Sequence, residues 1–340
     1  MSCEITAFIV HKMIPAENPR LIAEFGTGVL DHNDSIQNLM DTLNKRYMSQ
    51  GGRTFGQFST DQTNYPISRL LDDSDILNNP ENFYTLSNEI LSHLVSKASS
   101  TSATSGWVLM CLYEQNAEQV LAVAVVTETT GASINDAFQV QPAIYIDLSK
   151  LRHAGRINLT KWKANQKGYV NFIKAAREST YFKEFLGCES TNSNVEESNK
   201  VIIAIRAYCD SKGFDYIQRK NTTDLAYQWL QTASKARRPI LLAHLAMHLD
   251  QENAEELTAF LTADEYAIND EFIPDGRSLK QLVELHTQDN HWDIKLSNDA
   301  FEHGAIYNVE TKSLILPVTN IEDQEMFARH VQGLEDHDTD

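Results

Sequence analysis

Trp107-Val108-Leu109-Met110-Cys111-Leu112-Tyr113, then Glu114-Gln115-Asn116-Ala117-Glu118, then Val120-Leu121-Ala122-Val123-Ala124-Val125-Val126, form the most strongly patterned stretch of this chain. Two apolar, β-prone runs joined by a short polar link predict a β-hairpin. Ala143–Leu148 predicts a further strand and Ile5–Val10 an early one, ending before Pro15. Before the hairpin, Ile36, Leu39, Met40, Leu43 and Tyr47 fall on one helical stripe, with Asp34 as cap and Gly51-Gly52 as stop. Phe83, Leu86, Ile90 and Leu94 form a second stripe, followed by the small-residue connector Ser99–Gly106. The expected class is α+β: an antiparallel sheet with covering helices in the N-terminal half.

Beyond the hairpin, Tyr169, Phe172, Ile173 and Ala176 are spaced i, i+3, i+4 and i+7, which predicts an amphipathic helix there. Phe182, Phe185 and Leu186 continue it and Gly187 closes it. The polar run Glu189–Asn199 marks a boundary. Helices are expected at Val201–Cys209, Leu225–Ala236, Ile240–Leu249 and Ala254–Leu261. Short strands follow at Trp292–Leu296, Ile306–Val309 and Ser313–Leu316, the last two joined by Glu310-Thr311-Lys312. The C-terminal half is thus expected to be mainly helical with a short terminal β-hairpin. The expected units are residues 1–188, residues 200–332, and an acidic tail, 333–340, without fixed structure.

The 340 residues are 42% hydrophobic and 22% charged, which excludes a mainly disordered chain or a coiled-coil rod. No apolar run approaches the roughly 18–20 residues that span a bilayer, and Met1–Ile5 lacks the basic and apolar regions of a secretory signal. Cys3, Cys111, Cys188 and Cys209 are far apart, with no C-x-x-C, so reduced thiols in a cytoplasmic protein are expected.

Lys and Arg number 29, Asp and Glu 47, for a net charge of −18. The charge is segregated. From Lys150 to Lys183 lie nine basic residues and the single acid Glu178, a net of +8, which leaves −26 on the rest of the chain. Asp250–Asp275 holds nine acids and no Lys or Arg, and Ile321–Asp340 has seven acids against Arg329. Long cations in series with little acid between them suit phosphate contact. The candidate DNA-binding residues are Lys150, Arg152, Arg156, Lys161, Lys163, Lys167, Lys174 and Arg177, with Arg53 from the Arg53–Phe58 loop. Trp162 lies between Lys161 and Lys163, where an aromatic could stack on a base or anchor the core.

Catalytic and cofactor patterns are absent. There is no G-x-x-x-x-G-K-[ST] loop and no G-x-S-x-G elbow, and Gly26-Thr27-Gly28 lacks its third glycine. His244 and His248 are separated by Leu245-Ala246-Met247, without the glutamate of H-E-x-x-H. Asp72-Asp73-Ser74-Asp75 lacks the glycine and terminal glutamate of a calcium loop. No enzyme, cofactor or metal is expected.

Several pieces in order resemble the bacterial nucleoid-associated proteins of the NdpA/YejK type. They are Ile5–His11, Arg53–Phe58, Gly106–Cys111, Val120–Val126, Tyr145–Leu148, Arg156–Trp162, Phe172–Lys174 and Phe185–Gly187, then Phe272–Leu282 and the terminal strands. The resemblance is thinnest over residues 189–260. It implies association with the nucleoid and a DNA-binding role, and supplies no catalytic residue or cofactor. Double-stranded DNA held by its phosphates is the expected partner, in the cytoplasm at the nucleoid. Self-association and a nucleoid protein partner are further expectations, and no membrane is implied. The rival expectation is an acidic interaction module that reaches the nucleoid through a DNA-binding partner.

Overall fold

The structure is a computed structural model that describes residues 3–17, 20–49, 53–101, 103–151, 153–173, 180–189 and 193–335. As expected, an antiparallel sheet with helices makes up the N-terminal half, and the C-terminal half is mainly helical with a terminal hairpin. β1 (Glu4–Pro15), β2 (Leu21–Glu24), β3 (Arg53–Phe58), β4 (Gly106–Gln115), β5 (Glu118–Ile134), β6 (Val140–Asp147), β7 (His153–Asn158), β8 (Val170–Ile173) and β9 (Cys188–Glu189) form one sheet among the described residues. Their spatial order is β2-β1-β4-β5-β7-β8-β3-β9, with β6 paired to β5 alone.

The β4–β5 hairpin is where the sequence places it, paired from Trp107↔Val126 to Gln115↔Glu118. Its two-residue loop has φ of 55° at Asn116 and 61° at Ala117, as a type I′ turn requires. Alanine is strained in that region by about 1 kcal/mol. Ala117→Gly is therefore expected to stabilise the protein by about 1 kcal/mol, read as a higher urea midpoint at unchanged slope.

β4 is apolar at nearly every position because both faces of the sheet are covered. Val108, Met110 and Leu112 point to a core shared with α2 (Ile67–Ser74), α3 (Phe83–Ser99) and α5 (Thr180–Leu186). Leu109, Cys111 and Tyr113 point to a second core under α1 (Asp34–Ser49), which lays Ile36, Met40, Leu43 and Tyr47 on the sheet. The small Ala122 and Ala124 face that same helix. Its N-terminus is capped by Asn33 rather than Asp34: Asn33 Oδ1 accepts from Ile36 N at 3.0 Å.

A third core joins α6 (Asn194–Ser211), α7 (Tyr216–Lys235), α8 (Leu242–Leu249) and α9 (Ala254–Leu261). Ser193 and Glu196 form a capping box at the start of α6. The segment after α9 runs back along β3: Asp270 N donates to Arg53 O at 3.1 Å, and Phe55 N donates to Asn269 Oδ1. β10 (Glu284–Gln288) pairs with β11 (Asp293–Ser297), and β12 (Ile306–Asn308) with β13 (Ser313–Ile315).

Two local expectations are corrected. Arg53–Phe58 is a strand, since it pairs with both β8 and β9. Of the expected helical stripe, Phe172 and Ile173 lie in a strand, β8, between β7 and β3, and Tyr169 immediately precedes it. The four residues of β8 are buried on both faces, and a strand covered on both sides loses the alternation that distinguishes it from a helix. Ala176 lies outside the described residues. The C-terminal end is helical as far as Glu335 in α10 (Ile321–Glu335), with Glu322 and Asp323 in its first turn and an Arg329–Glu325 pair at 3.0 Å. Residues 336–340 lie outside the described residues.

Candidate nucleic-acid interface

The candidate cations are carried by the connection from β7 to β8. Asn158 ends β7 and its side chain accepts from Lys161 N at 2.9 Å, starting the single turn α4 (Leu159–Lys163). Asn165 at φ 54° and Gly168 at φ 72° return the chain into β8. Lys161, Lys163 and Lys167 sit on this connection, with Lys163 and Lys167 exposed and Lys161 half-buried. Lys183 is exposed on α5. The side chain of Lys150, and Arg152, Lys174 and Arg177 entirely, lie outside the described residues.

Each described lysine of the connection faces an acid brought in from another part of the chain. Lys163 Nζ lies 2.6 Å from Asp72, Lys167 Nζ 3.3 Å from Glu196, and Lys161 Nζ 3.6 Å from Glu118. Along the sequence the stretch contains only one acid, but folding supplies others. These pairs are solvent-exposed or nearly so, and such pairs contribute about 0–1 kcal/mol each.

Trp162 is an anchor. Its ring meets Phe58 edge-on at 5.4 Å and packs against the core, while Lys163 Nζ lies 4.4 Å from its ring centroid. Tyr169 is buried, and its hydroxyl accepts from Phe58 N at 3.0 Å.

Arg53 and Arg156 are not surface cations, which corrects the expectation for both. Their side chains are 1% and 6% exposed. Arg53 Nη1 reaches Asp264 Oδ1 at 2.8 Å, and Arg156 Nη1 reaches Oδ2 of the same carboxylate at 3.6 Å. Arg156 Nη2 also donates to Asn44 Oδ1, and its guanidinium lies 4.2 Å from the Tyr47 ring centroid. Tyr47 donates its hydroxyl proton to Asn171 Oδ1 at 2.5 Å. Burial pushes the Tyr47 phenol well above its ordinary value, and the two guanidiniums pull the other way. Arg53 Nε and Nη2 have no hydrogen-bond partner among the described residues.

Arg156, Asn171 and Asp264 of this polar group line a cleft of about 390 Å³ whose wall also includes Asn158, Lys161 and Glu265. The group ties the sheet to the segment after α9. Asn44, Tyr47, Asn171 and Asp264 were not legible as a group. They are spread over more than two hundred positions, and the one available signal was the acid-rich stretch that contains Asp264.

Among the described residues no group of three His, Cys, Asp or Glu side chains could hold a metal. His248 stacks on Trp229 at 6.0 Å. All four cysteines are buried and unpaired, and burial raises the Cys188 thiol to about 12. No helix among the described residues is long and apolar enough to cross a membrane.

A family model described as nucleoid-associated protein YejK matches residues 9–324. The chain is similar to a nucleoid-associated protein of Pseudomonas entomophila, 28% identical over 256 residues, covering 74% of this chain and 76% of that protein. A nucleoid-associated protein of Azotobacter vinelandii is 27% identical over 259 residues, covering 74% of this chain and 76% of its own. One from Pseudomonas putida strain W619 is 28% identical over 259 residues, covering 74% and 77%.

Proposed function

This chain belongs to the family of nucleoid-associated protein YejK, and from that membership we propose that it is a non-enzymatic protein that holds double-stranded DNA by its phosphates at the nucleoid, with little base readout. The observation that carries the reading is the +8 segment from Lys150 to Lys183 in a chain that is otherwise −26. A polyanion would be repelled from most of such a surface and admitted at one place. Lys163 and Lys167 stand exposed there. Their ion pairs with Asp72 and Glu196 are weak enough for a phosphate to replace the carboxylate. Arg53 and Arg156 hold the fold behind this surface and are not counted among its contacts.

If roughly five cations touch phosphates, log K falls with log salt at a slope near −4 to −5. Fluorescence anisotropy of labelled duplexes over a salt series reads this directly. Replacing Lys163, Lys167, Lys174 and Arg177 together by glutamine is expected to weaken binding to all sequences about equally. It should also flatten the slope by about 0.9 per lost contact. Parent affinity and parent slope in a folded quadruple variant would overturn this placement of the surface. No binding by the parent at low salt would overturn direct contact. It would favour the second reading, in which an acidic surface, to which the exposed Glu252, Glu255, Glu256, Glu265 and Glu271 contribute, grips a basic DNA-binding partner.

A further inference from the structure

β5 is 17 residues long, and its two parts have different surroundings. Glu118–Val126 is inside the sheet, between β4 and β7. Thr127–Ile134 pairs with β6 alone among the described residues, so the two strands run on as a separate two-stranded ribbon. The register sorts its side chains by face. Ala132↔Pro142, Ile134↔Val140 and Thr130↔Ile144 place Ala132, Ile134, Val140, Pro142 and Ile144 on one face. The opposite face carries Thr129, Ser133 and Gln141, and Tyr145 lies against Gly131, where a Cβ would come within 2.8 Å of its ring.

Among the described residues nothing covers the apolar face. Ile134 is 72% exposed, Val140 73% and Ile144 69%, and Phe138 at the tip is 91% exposed. An isolated two-stranded ribbon is at best marginally stable in water; a third strand or an apolar cover is needed. From Thr127 to Asp147 the ribbon has three acids and no Lys or Arg, so it is no place for a DNA backbone. Glu128, at the base of the apolar face, is held by the Trp107 indole N–H at 2.7 Å.

We propose that this apolar face is covered by the same face of a second copy of the chain, making the protein a homodimer joined ribbon to ribbon about a two-fold axis. A cover on which the ribbon's stability depends must be present whenever the chain folds and in equal amount, and a second copy always meets both conditions. An apolar face is complementary to itself, as an isologous contact requires. Two ribbons stacked about 10 Å apart make a four-stranded sandwich, past the minimum for independent stability. The exposed apolar side chains offer on the order of 600 Å² per copy, about 1,200 Å² in all, at the lower end of stable specific interfaces.

The test is the mass of the full chain in solution by light scattering and sedimentation at micromolar concentration. The parent is expected at the mass of two chains. Ile134→Asp with Ile144→Asp should raise the dimer dissociation constant by about 100-fold or more and give a monomer. Both side chains are exposed in the single chain and lie outside its three cores, so the variant should keep the parent's cooperative unfolding, with any loss of circular dichroism confined to the strand signal of the uncovered ribbon. Ser133→Asp with Gln141→Asp, on the other face, should remain dimeric. A monomeric parent, or an undiminished dimer in the Ile134→Asp, Ile144→Asp variant, would overturn the proposal.

Discussion

Replacing Asp264 by alanine is expected to cost about 3 kcal/mol of folding stability, a large share of the 5–15 kcal/mol of a typical domain. The carboxylate is the acid that both Arg53 and Arg156 reach, and their side chains are 1% and 6% exposed. Removing it leaves two guanidiniums inside the protein without a counter-charge, and a buried charge stripped of its partner is penalised far more than the pair is worth. Asp264 itself is 38% exposed, so water can enter the vacated place, which favours the lower end of the usual 3–5 kcal/mol. Asp264→Asn should cost less, because the amide oxygen still accepts a guanidinium N–H. Urea unfolding with a reduced midpoint and unchanged slope checks this. If Asp264→Ala unfolds with the parent's midpoint, the pair does not hold the segment after α9 to the sheet.

Phe172→Asp is expected to abolish cooperative folding. Phe172 is 2% exposed and lies on the interior strand β8, opposite Gly155 on one side and Thr54 on the other. Its ring belongs to the core that also holds Phe182 and Phe185. Deleting a buried phenylalanine costs about 3–5 kcal/mol through lost transfer energy and the cavity. Placing a carboxyl there adds a desolvation cost of several kcal/mol, with no described cation paired to that face of the strand. The sum is comparable to the whole stability of a domain. Phe172→Leu, which keeps most of the apolar volume, should cost about 1.5 kcal/mol and stay folded. Near-ultraviolet circular dichroism and a thermal scan separate the two. A cooperative transition close to the parent's for Phe172→Asp would mean that this strand is not in the core.

How much of this protein was legible in its sequence depended on whether local pattern and final environment agreed. They agreed at Phe83–Ser99, where the apolar side chains of one helical stripe all entered one core. They agreed at Ala254–Leu261, whose limits match the apolar pattern. They disagreed at β8, where i, i+3, i+4 spacing arose by chance in a strand buried on both sides. The ribbon is an intermediate case. Ala143–Leu148 was legible as a strand, but the strand covers Val140–Asp147, and only the register showed that its apolar residues share a face with those of β5.

The cations show the same division. Counting charges along the chain located the basic segment and the acid-rich ones, because net charge is a property of composition. Whether a given cation meets solvent or an acid is a property of contacts between distant positions. Arg53 and Asp264 are 211 residues apart, and Lys163 and Asp72 are 91 apart. The sequence by itself determined the α+β class, the β4–β5 hairpin, the helical C-terminal half and the segregation of charge, since each follows from local periodicity or composition. Only the tertiary structure decided that Arg53 and Arg156 are interior ties, that Trp162 is an anchor, and that the described residues leave one face of the ribbon apolar and exposed. Those depend on strand order and register, which bring together residues that no local pattern connects.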